Sequence, residues 1–527
     1  MTAVHPMPGR RTTPASMEDP GAGLGERLHR LRDDAPGARD GLISATVAVV
    51  SIDPISLYAA AVEADLETAL WLRPSEGIAF VGIGRAWAAE PEGETRFQCA
   101  ETAWRDLVRD ARIDRPAGDG RGAGPVLLGA MGFTGRVPAP DDVWSPFGPS
   151  SLVLPELLLS VTPGGATVTG AMVSDGPNVP GADVPGADVP GPDVPGADVS
   201  GPDVPGADVS GPRALDPRAV ERRWDQLAER ARNLAPNPNG MVARPVFAPL
   251  ITTEEQPSKD AFHRLVGMFS GAVGRGRIDK VVLARRVGLR SPVELDVPNA
   301  LRRLAASAPE STIYAFRRGG RTFLGATPER LVSTEGRTFR TVAVAGTIRR
   351  GADAAEDEAL GRALLASEKD REEHAIVVAA IRDLLRPVAD TLEVAPRPGV
   401  MTLRFVQHLV TEISGTVPDA HGLLALGERL HPTPAVGGEP RDVALAMIQE
   451  HEGFDRGWYA SPIGWLGADG DGELWVALRC GIVDRTRATL FAGCGIVADS
   501  DPDLEWEESR IKLRAVISAL GIPEDER

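Results

Sequence analysis

Apolar positions along this chain recur with two periods that alternate from one end to the other. Residues 42–52, 78–87, 126–133 and 151–161 are short apolar runs bounded by turn residues, a pattern that predicts strands. Residues 96–111 place Phe97, Ala100, Ala103, Trp104 and Leu107 on one face at helical spacing, and residues 219–234 and 259–274 read as helices in the same way. The second of these leads into Lys280-Val-Val-Leu-Ala-Arg-Arg286, a buried-strand pattern with a lysine at its mouth. Phe323 to Arg330 predicts a strand ending in a turn that presents Glu329, and Thr341 to Thr347 is an apolar run closing on Gly346-Thr347. Gly82-Ile83-Gly84 lacks the third glycine and the following helix of a dinucleotide site, so it reads as a strand end. Alternating strands and helices imply an α/β or α+β architecture. Periodicity alone goes no further.

Two acidic clusters stand at the edges of helical patterns, Ser367 to His374 and Asp499 to Lys512. In each, two carboxylates three residues apart share a helix face: Asp370 with Glu373, and Glu505 with Glu508. Either cluster by itself reads more readily as a solvated helix end with ordinary acidic residues. If the four converge, their mutual repulsion calls for a cation, and all-oxygen ligation with few protein ligands suits Mg²⁺, which keeps several waters.

Further segments change the picture. Together with Gln407-His408-Leu-Val-Thr411, His431-Pro-Thr-Pro-Ala-Val-Gly-Gly438, Ala477-Leu-Arg479-Cys-Gly and Ala492-Gly-Cys-Gly-Ile496, these stretches resemble the chorismate-utilising enzymes, in one order from about Pro257 to Leu520. The resemblance implies an α+β fold of two stacked antiparallel sheets with outer helices and the site between the sheets. It also implies addition of water or ammonia at ring carbon 2 of chorismate with loss of the carbon-4 hydroxyl.

By the same resemblance Lys280 is the base that activates water and Glu329 the acid that protonates the leaving hydroxyl. Glu373 and Glu508 would bind Mg²⁺ directly, with Glu505 and Asp370 direct or through water; Asp370 is shorter than the glutamate common in relatives. Arg479 and Tyr459 would hold the enolpyruvyl carboxylate. Lys512 would lie beside the metal-bound carboxylate, Gly346, Thr347, Gly493 and Gly495 would allow close backbone approach, and His408 would be a donor near the ring. Lys280 occupies a position where ammonia-using relatives usually carry glutamine. Ala345 stands where aminodeoxychorismate synthases place a lysine, and Ala435 where salicylate synthases tend to have threonine. The expected activity is therefore conversion of chorismate to isochorismate, feeding menaquinone or a siderophore, with no glutaminase partner. Salicylate synthesis, anthranilate or aminodeoxychorismate synthesis and a non-catalytic ligand-binding role are the alternatives.

Composition bounds these expectations. A chain of 527 residues buries a large core, and its formal charge of −17 argues against nucleic acid or an anionic membrane as partner. The start has no apolar stretch of signal-peptide length and no segment approaches membrane-spanning length, so a cytoplasmic protein is expected; the resemblance leans to a monomer. Cys99, Cys480 and Cys494 have no metal spacing, which suits a reducing compartment. Residues 1–40 read as a disordered tail, 41–176 as the N-terminal part of the synthase domain and 214–522 as the catalytic region. Residues 177–213 repeat Val-Pro-Gly-Ala-Asp and its variants, a unit too poor in apolar side chains to offset its ordering entropy; they read as a disordered insertion.

Overall fold

The computed structural model describes residues 22–33, 41–116, 122–174, 216–235, 251–418 and 421–521. Its strands form two sheets, one of 13 strands and one of 10. Their pairings are antiparallel with one exception among the described residues, Gly41–Val49 alongside Arg112–Asp114. The expected α+β architecture is what the chain adopts. Both halves of the sequence build both sheets: Thr68–Arg73 pairs with Thr312–Arg318 in the larger, and Val126–Ala130 with Pro462–Gly467 in the smaller.

The main core lies where the sheets face each other. Phe80 of the larger sheet packs edge-on against Trp465 of the smaller at 5.1 Å between ring centroids, an arrangement that suits the quadrupoles of the two rings. Strand pleating sends neighbouring residues to opposite faces. Trp71 therefore joins the core between the sheets, while Leu70 joins a second core with Leu57, Trp224, Leu301 and Leu513. Those four side chains come from the helices Pro54–Glu63, Pro217–Leu234, Val297–Ser307 and Pro502–Ala519, which cover the outer face of the larger sheet.

Two predicted strands each prove to be two strands in different sheets. Ile78–Ile83 belongs to the larger sheet and Trp87–Ala89 to the smaller, with Gly84 between them at φ +70°. Likewise Ser151–Leu154 lies in the smaller sheet and Leu157–Thr162 in the larger, separated by Pro155. Each crossing is marked by a turn former followed by a charged residue, Gly84-Arg85 and Pro155-Glu156, within an otherwise apolar stretch; which sheet each flank joins is set by pairing with distant strands. Residues 42–52 are also shorter as a strand, Gly41–Val49, because Asp53 caps the helix Pro54–Glu63 by accepting from the Ser56 N–H at 2.9 Å. That helix buries Ile55, Ser56, Leu57, Tyr58, Ala60 and Ala61, and so shows no polar stripe.

The expected tail of residues 1–40 is not irregular throughout: Leu24–Asp33 is a helix whose Leu24 and Leu28 enter the outer core. The repeat at 177–213 lies outside the described residues. No helix among the described residues is long and apolar enough to cross a membrane.

Candidate active site

Two neighbouring strands of the larger sheet pass into the smaller sheet side by side. Arg321–Thr327 continues through Pro328 and Glu329 into Arg330–Glu335, while Gly472–Val476 returns through Ala477, Leu478 and Arg479 into Cys480–Asp484. The paired strands hold the crossovers together, antiparallel in both sheets. At the corner the Val476 N–H donates to the Glu329 carbonyl at 2.9 Å, and the Ala326 N–H to the Arg479 carbonyl at 3.2 Å. Arg479 has φ +49°, a left-handed conformation that costs a residue with a side chain on the order of 1–3 kcal/mol.

This corner forms one wall of a partly open cavity with about 80 Å³ of space for water-sized occupants, lined in good part by polar and charged side chains. Lys280, Glu329 and Arg479 line it. So do Gly346, Thr347 and His408 from paired strands of the smaller sheet, and Tyr459 and Ala435 from loops. Glu373, Gly493, Gly495, Glu508 and Lys512 complete the set. Asp370 and Glu505 stand behind this lining. Asp370 lies against Gly346, whose φ of +74° and absent side chain accommodate it: a Cβ there would fall 3.1 Å from the Asp370 Cβ. Glu505 is buried and accepts from Ser500 Oγ at 2.8 Å.

Several of the candidate side chains are held by specific partners. Lys280 opens the strand Lys280–Arg290, is 2% exposed, and donates from Nζ to Glu373 Oε1 at 2.8 Å. Gly495 on the adjacent strand makes room for it, since a Cβ would lie 2.6 Å from the lysine Cε. Lys512 bridges Glu508 Oε1 at 2.6 Å and the Gly493 carbonyl at 2.8 Å. His408 Nδ1 faces the Gly346 carbonyl at 3.2 Å and Thr347 Oγ1 at 3.0 Å, while Nε2 faces an Arg479 Nη2 at 3.2 Å.

Burial, with Arg479 and Lys512 nearby, pulls the His408 imidazole down to about 3, so the ring is neutral. A neutral ring with Nδ1–H directed at the Gly346 carbonyl leaves Nε2 as acceptor toward Arg479. In this arrangement His408 Nε2 accepts from the Arg479 guanidinium.

The carboxylates are differentiated by their surroundings. Burial pushes Glu329 up to about 7 against the pull of Lys280, Lys512 and Arg479, leaving it partly protonated near neutrality. Burial and the adjacent Glu508 charge push Glu505 up to about 7. Burial opposes the charge on Glu508 too, yet Lys512, Arg479 and Lys280 together hold it below the ordinary value.

Among the described residues no three acidic, histidine or cysteine side chains form a preformed metal cage. Of the three carboxylates lining the cavity, Glu373 and Glu508 are each engaged by a lysine, with Glu505 behind. An anionic, all-oxygen set of this kind fits a hard cation that keeps waters and takes few protein ligands.

One part of the site was not anticipated from the sequence. Glu452 and Arg456 form a buried ion pair, with Arg456 Nε donating to Glu452 Oε2 at 2.8 Å. The Ala284 N–H donates to Glu452 at 2.8 Å, and Arg456 donates to the carbonyls of Val282 at 2.9 Å and Val436 at 2.7 Å. The pair thereby serves backbone groups on an edge of the Lys280 strand between its short pairing with Gly438–Glu439 and its pairing with Ile251–Gln256. Its only sequence signal is opposite charges four residues apart, which usually marks an exposed helix pair.

The family model described as chorismate binding enzyme matches residues 28–179 and 214–521. The chain belongs to the chorismate-binding enzyme family. It is 36% identical over 508 residues to the salicylate biosynthesis isochorismate synthase of Pseudomonas aeruginosa, covering 95% of this chain and 96% of that one. It is 39% identical over 272 residues to isochorismate synthase MenF of Bacillus subtilis, covering 52% of this chain and 58% of that one. Among solved structures, MenF of Escherichia coli superposes with a TM-score of 0.68 at 23% identity, over 94% of this chain and 99% of that one. Anthranilate synthase component I of Streptococcus pneumoniae superposes with a TM-score of 0.61 at 20% identity, over 84% of this chain and 92% of that one. The fold is thus shared with proteins named for isochorismate synthesis and for anthranilate synthesis.

Proposed function

We propose that this chain is an isochorismate synthase, converting chorismate to isochorismate by adding water at ring carbon 2 and expelling the carbon-4 hydroxyl. The observation that carries this reading is the presence of Lys280 and Glu329 on one cavity, a buried amine and a buried carboxyl raised to about 7. Lys280 takes a proton from the attacking water once its lone pair, and not a proton, faces the substrate. Glu329 gives a proton to the departing hydroxyl, so one water enters, one leaves, and the proton lost by Glu329 balances the one gained by Lys280. Arg479, oriented by His408, pairs with a substrate carboxylate, and the Tyr459 hydroxyl beside Gly493 adds a second donor.

Glu373 and Glu508, with Glu505 and Asp370 behind them, are the residues to hold Mg²⁺. When bound, that ion would bind the ring carboxylate and draw charge toward carbon 1.

Water as nucleophile needs no glutaminase, so the enzyme acts without one. Ala345 and Ala435 support the same choice: both line the cavity, and neither supplies the lysine or the threonine expected of aminodeoxychorismate or salicylate formation. The full-length likeness to a relative named for isochorismate synthesis is further support. Purified protein incubated with chorismate and Mg²⁺ tests the reading by product identification. Isochorismate alone is expected; pyruvate release, or an amino product formed with ammonium, would replace it with one of the neighbouring activities.

A further inference from the structure

Tyr314 is buried on the strand Thr312–Arg318, among Trp71, Phe316 and Phe323. Phenylalanine would pack in such surroundings equally well, and a hydroxyl there has a desolvation cost unless something uses it. The hydroxyl faces two groups that flank Arg479, the Cys480 thiol and the Leu478 carbonyl. The Tyr314 hydroxyl donates to the Leu478 carbonyl at 3.3 Å, the peptide that leads directly into Arg479. Space for it is provided by Gly325, where a Cβ would lie 2.5 Å from that oxygen. On the other side of Arg479, the Ala326 N–H donates to its carbonyl at 3.2 Å. The peptide groups on both sides of the one left-handed residue in the crossover, Arg479 at φ +49°, are therefore held by hydrogen bonds.

We infer that Tyr314 is a positioning residue for substrate binding: its hydroxyl holds the Leu478–Arg479 peptide so that Arg479 stays left-handed and its guanidinium stays aimed into the cavity. The inference rests on the proposal that Arg479 binds a substrate carboxylate. An alternative conformation at Arg479 is open to any residue with a side chain, because the left-handed region is disfavoured for it. Removing the hydroxyl frees the Leu478 carbonyl and lets the crossover relax, while the aromatic ring keeps its place in the core. Binding should suffer before folding does.

The test is Tyr314→Phe, compared with Arg479→Ala and with the double variant. Tyr314→Phe should raise KM for chorismate about three- to tenfold, the worth of one net hydrogen bond, with kcat within about threefold by the same measure and little change in melting temperature. KM is the informative readout because a smaller folded fraction lowers apparent kcat and leaves KM alone. In the Arg479→Ala background the same change should add nothing further to KM. Phe323→Leu, which loosens the same aromatic cluster without touching a hydrogen bond, should lower the melting temperature and leave KM where it was. An unchanged KM in Tyr314→Phe while Arg479→Ala raises it overturns the positioning role alone. An unchanged KM in Arg479→Ala overturns the carboxylate assignment and the route through it. Additive effects in the double variant, or an equal KM rise in Phe323→Leu, show that Tyr314 acts by packing and not through Arg479.

Discussion

Lys280 Nζ lies 2.8 Å from Glu373 Oε1, so the candidate base and a candidate metal ligand are bound to each other. The lysine side chain is 2% exposed and the glutamate 17%, which places the contact where water screens it weakly. The same relationship recurs across the cavity between Lys512 and Glu508 at 2.6 Å. Two lysine–glutamate pairs therefore hold the cavity together, and each carboxylate has a second use.

Lys280→Gln should reduce isochorismate formation by about 10²- to 10⁴-fold, the usual worth of a positioned general base. Glutamine can orient water but cannot accept its proton. High ammonium at alkaline pH should partly rescue turnover with an amino product, since ammonia needs no such deprotonation. Near-parental isochorismate formation in ammonia-free buffer would remove Lys280 as base.

Glu373→Gln and Glu508→Gln should each cost orders of magnitude in activity and weaken the response to Mg²⁺, because a neutral amide is a poor ligand for a hard cation. Circular dichroism should show folded protein in both cases. Parental activity of either variant in the presence of EDTA would sink the metal assignment.

Ala435→Thr should shift product toward pyruvate release. The position lines the cavity, and an added hydroxyl there can polarise or turn the enolpyruvyl group toward elimination. Pyruvate is measured by coupling to lactate dehydrogenase. Unaltered isochorismate output without pyruvate would show that this wall does not set the reaction.

Glu452→Ala should destabilise the fold by about 3–5 kcal/mol, the cost of leaving a buried charge without its partner. Arg456 would remain 2% exposed side-chain-wise with its counter-ion gone, and the Ala284 N–H would lose its acceptor. Equilibrium denaturation measures the change. A loss below about 1 kcal/mol, the range of an exposed pair, would show that the pair is not needed at this strand edge.

Acid should weaken the fold through buried histidines. Burial holds His431 well below its ordinary value of 6.5, and burial with Arg479 and Lys512 takes His408 to about 3. The unfolded chain binds these protons as pH falls through 6.5 and the folded chain does not, so their contribution is present above 6.5 and declines below it. Folding free energies of parent and His431→Gln, each measured between about pH 7.5 and 5.5, isolate the effect. Glutamine can still donate to the Phe133 carbonyl that His431 Nε2 faces at 3.0 Å. A smaller acid loss in the variant is expected; identical losses would mean His431 does not contribute.

The candidate site residues could be named from the chain through motifs whose order resembles that of the chorismate-utilising enzymes. A lysine at the mouth of an apolar strand, a glutamate closing another, and carboxylates three apart at two helix edges can be named without coordinates, and Lys280, Glu329, Glu373 and Glu508 do line one cavity. Local periodicity likewise set the helices Arg96–Arg109, Pro217–Leu234 and Lys259–Gly274 near their predicted bounds. Three features needed the tertiary structure. That Ile78–Ile83 and Leu157–Thr162 lie in a different sheet from their sequence neighbours is set by pairing with distant strands, and the sequence marks the step only with Gly84-Arg85 and Pro155-Glu156. The pairing of His408 with Arg479 at 3.2 Å is a contact between residues far apart in the chain. The Glu452–Arg456 pair looks like an exposed helix pair until the unpartnered edge of the Lys280 strand is seen beside it. Local sequence determines which groups are present and which face of an element they share; which strand edge, charge or carbonyl stands opposite is decided by packing between distant segments.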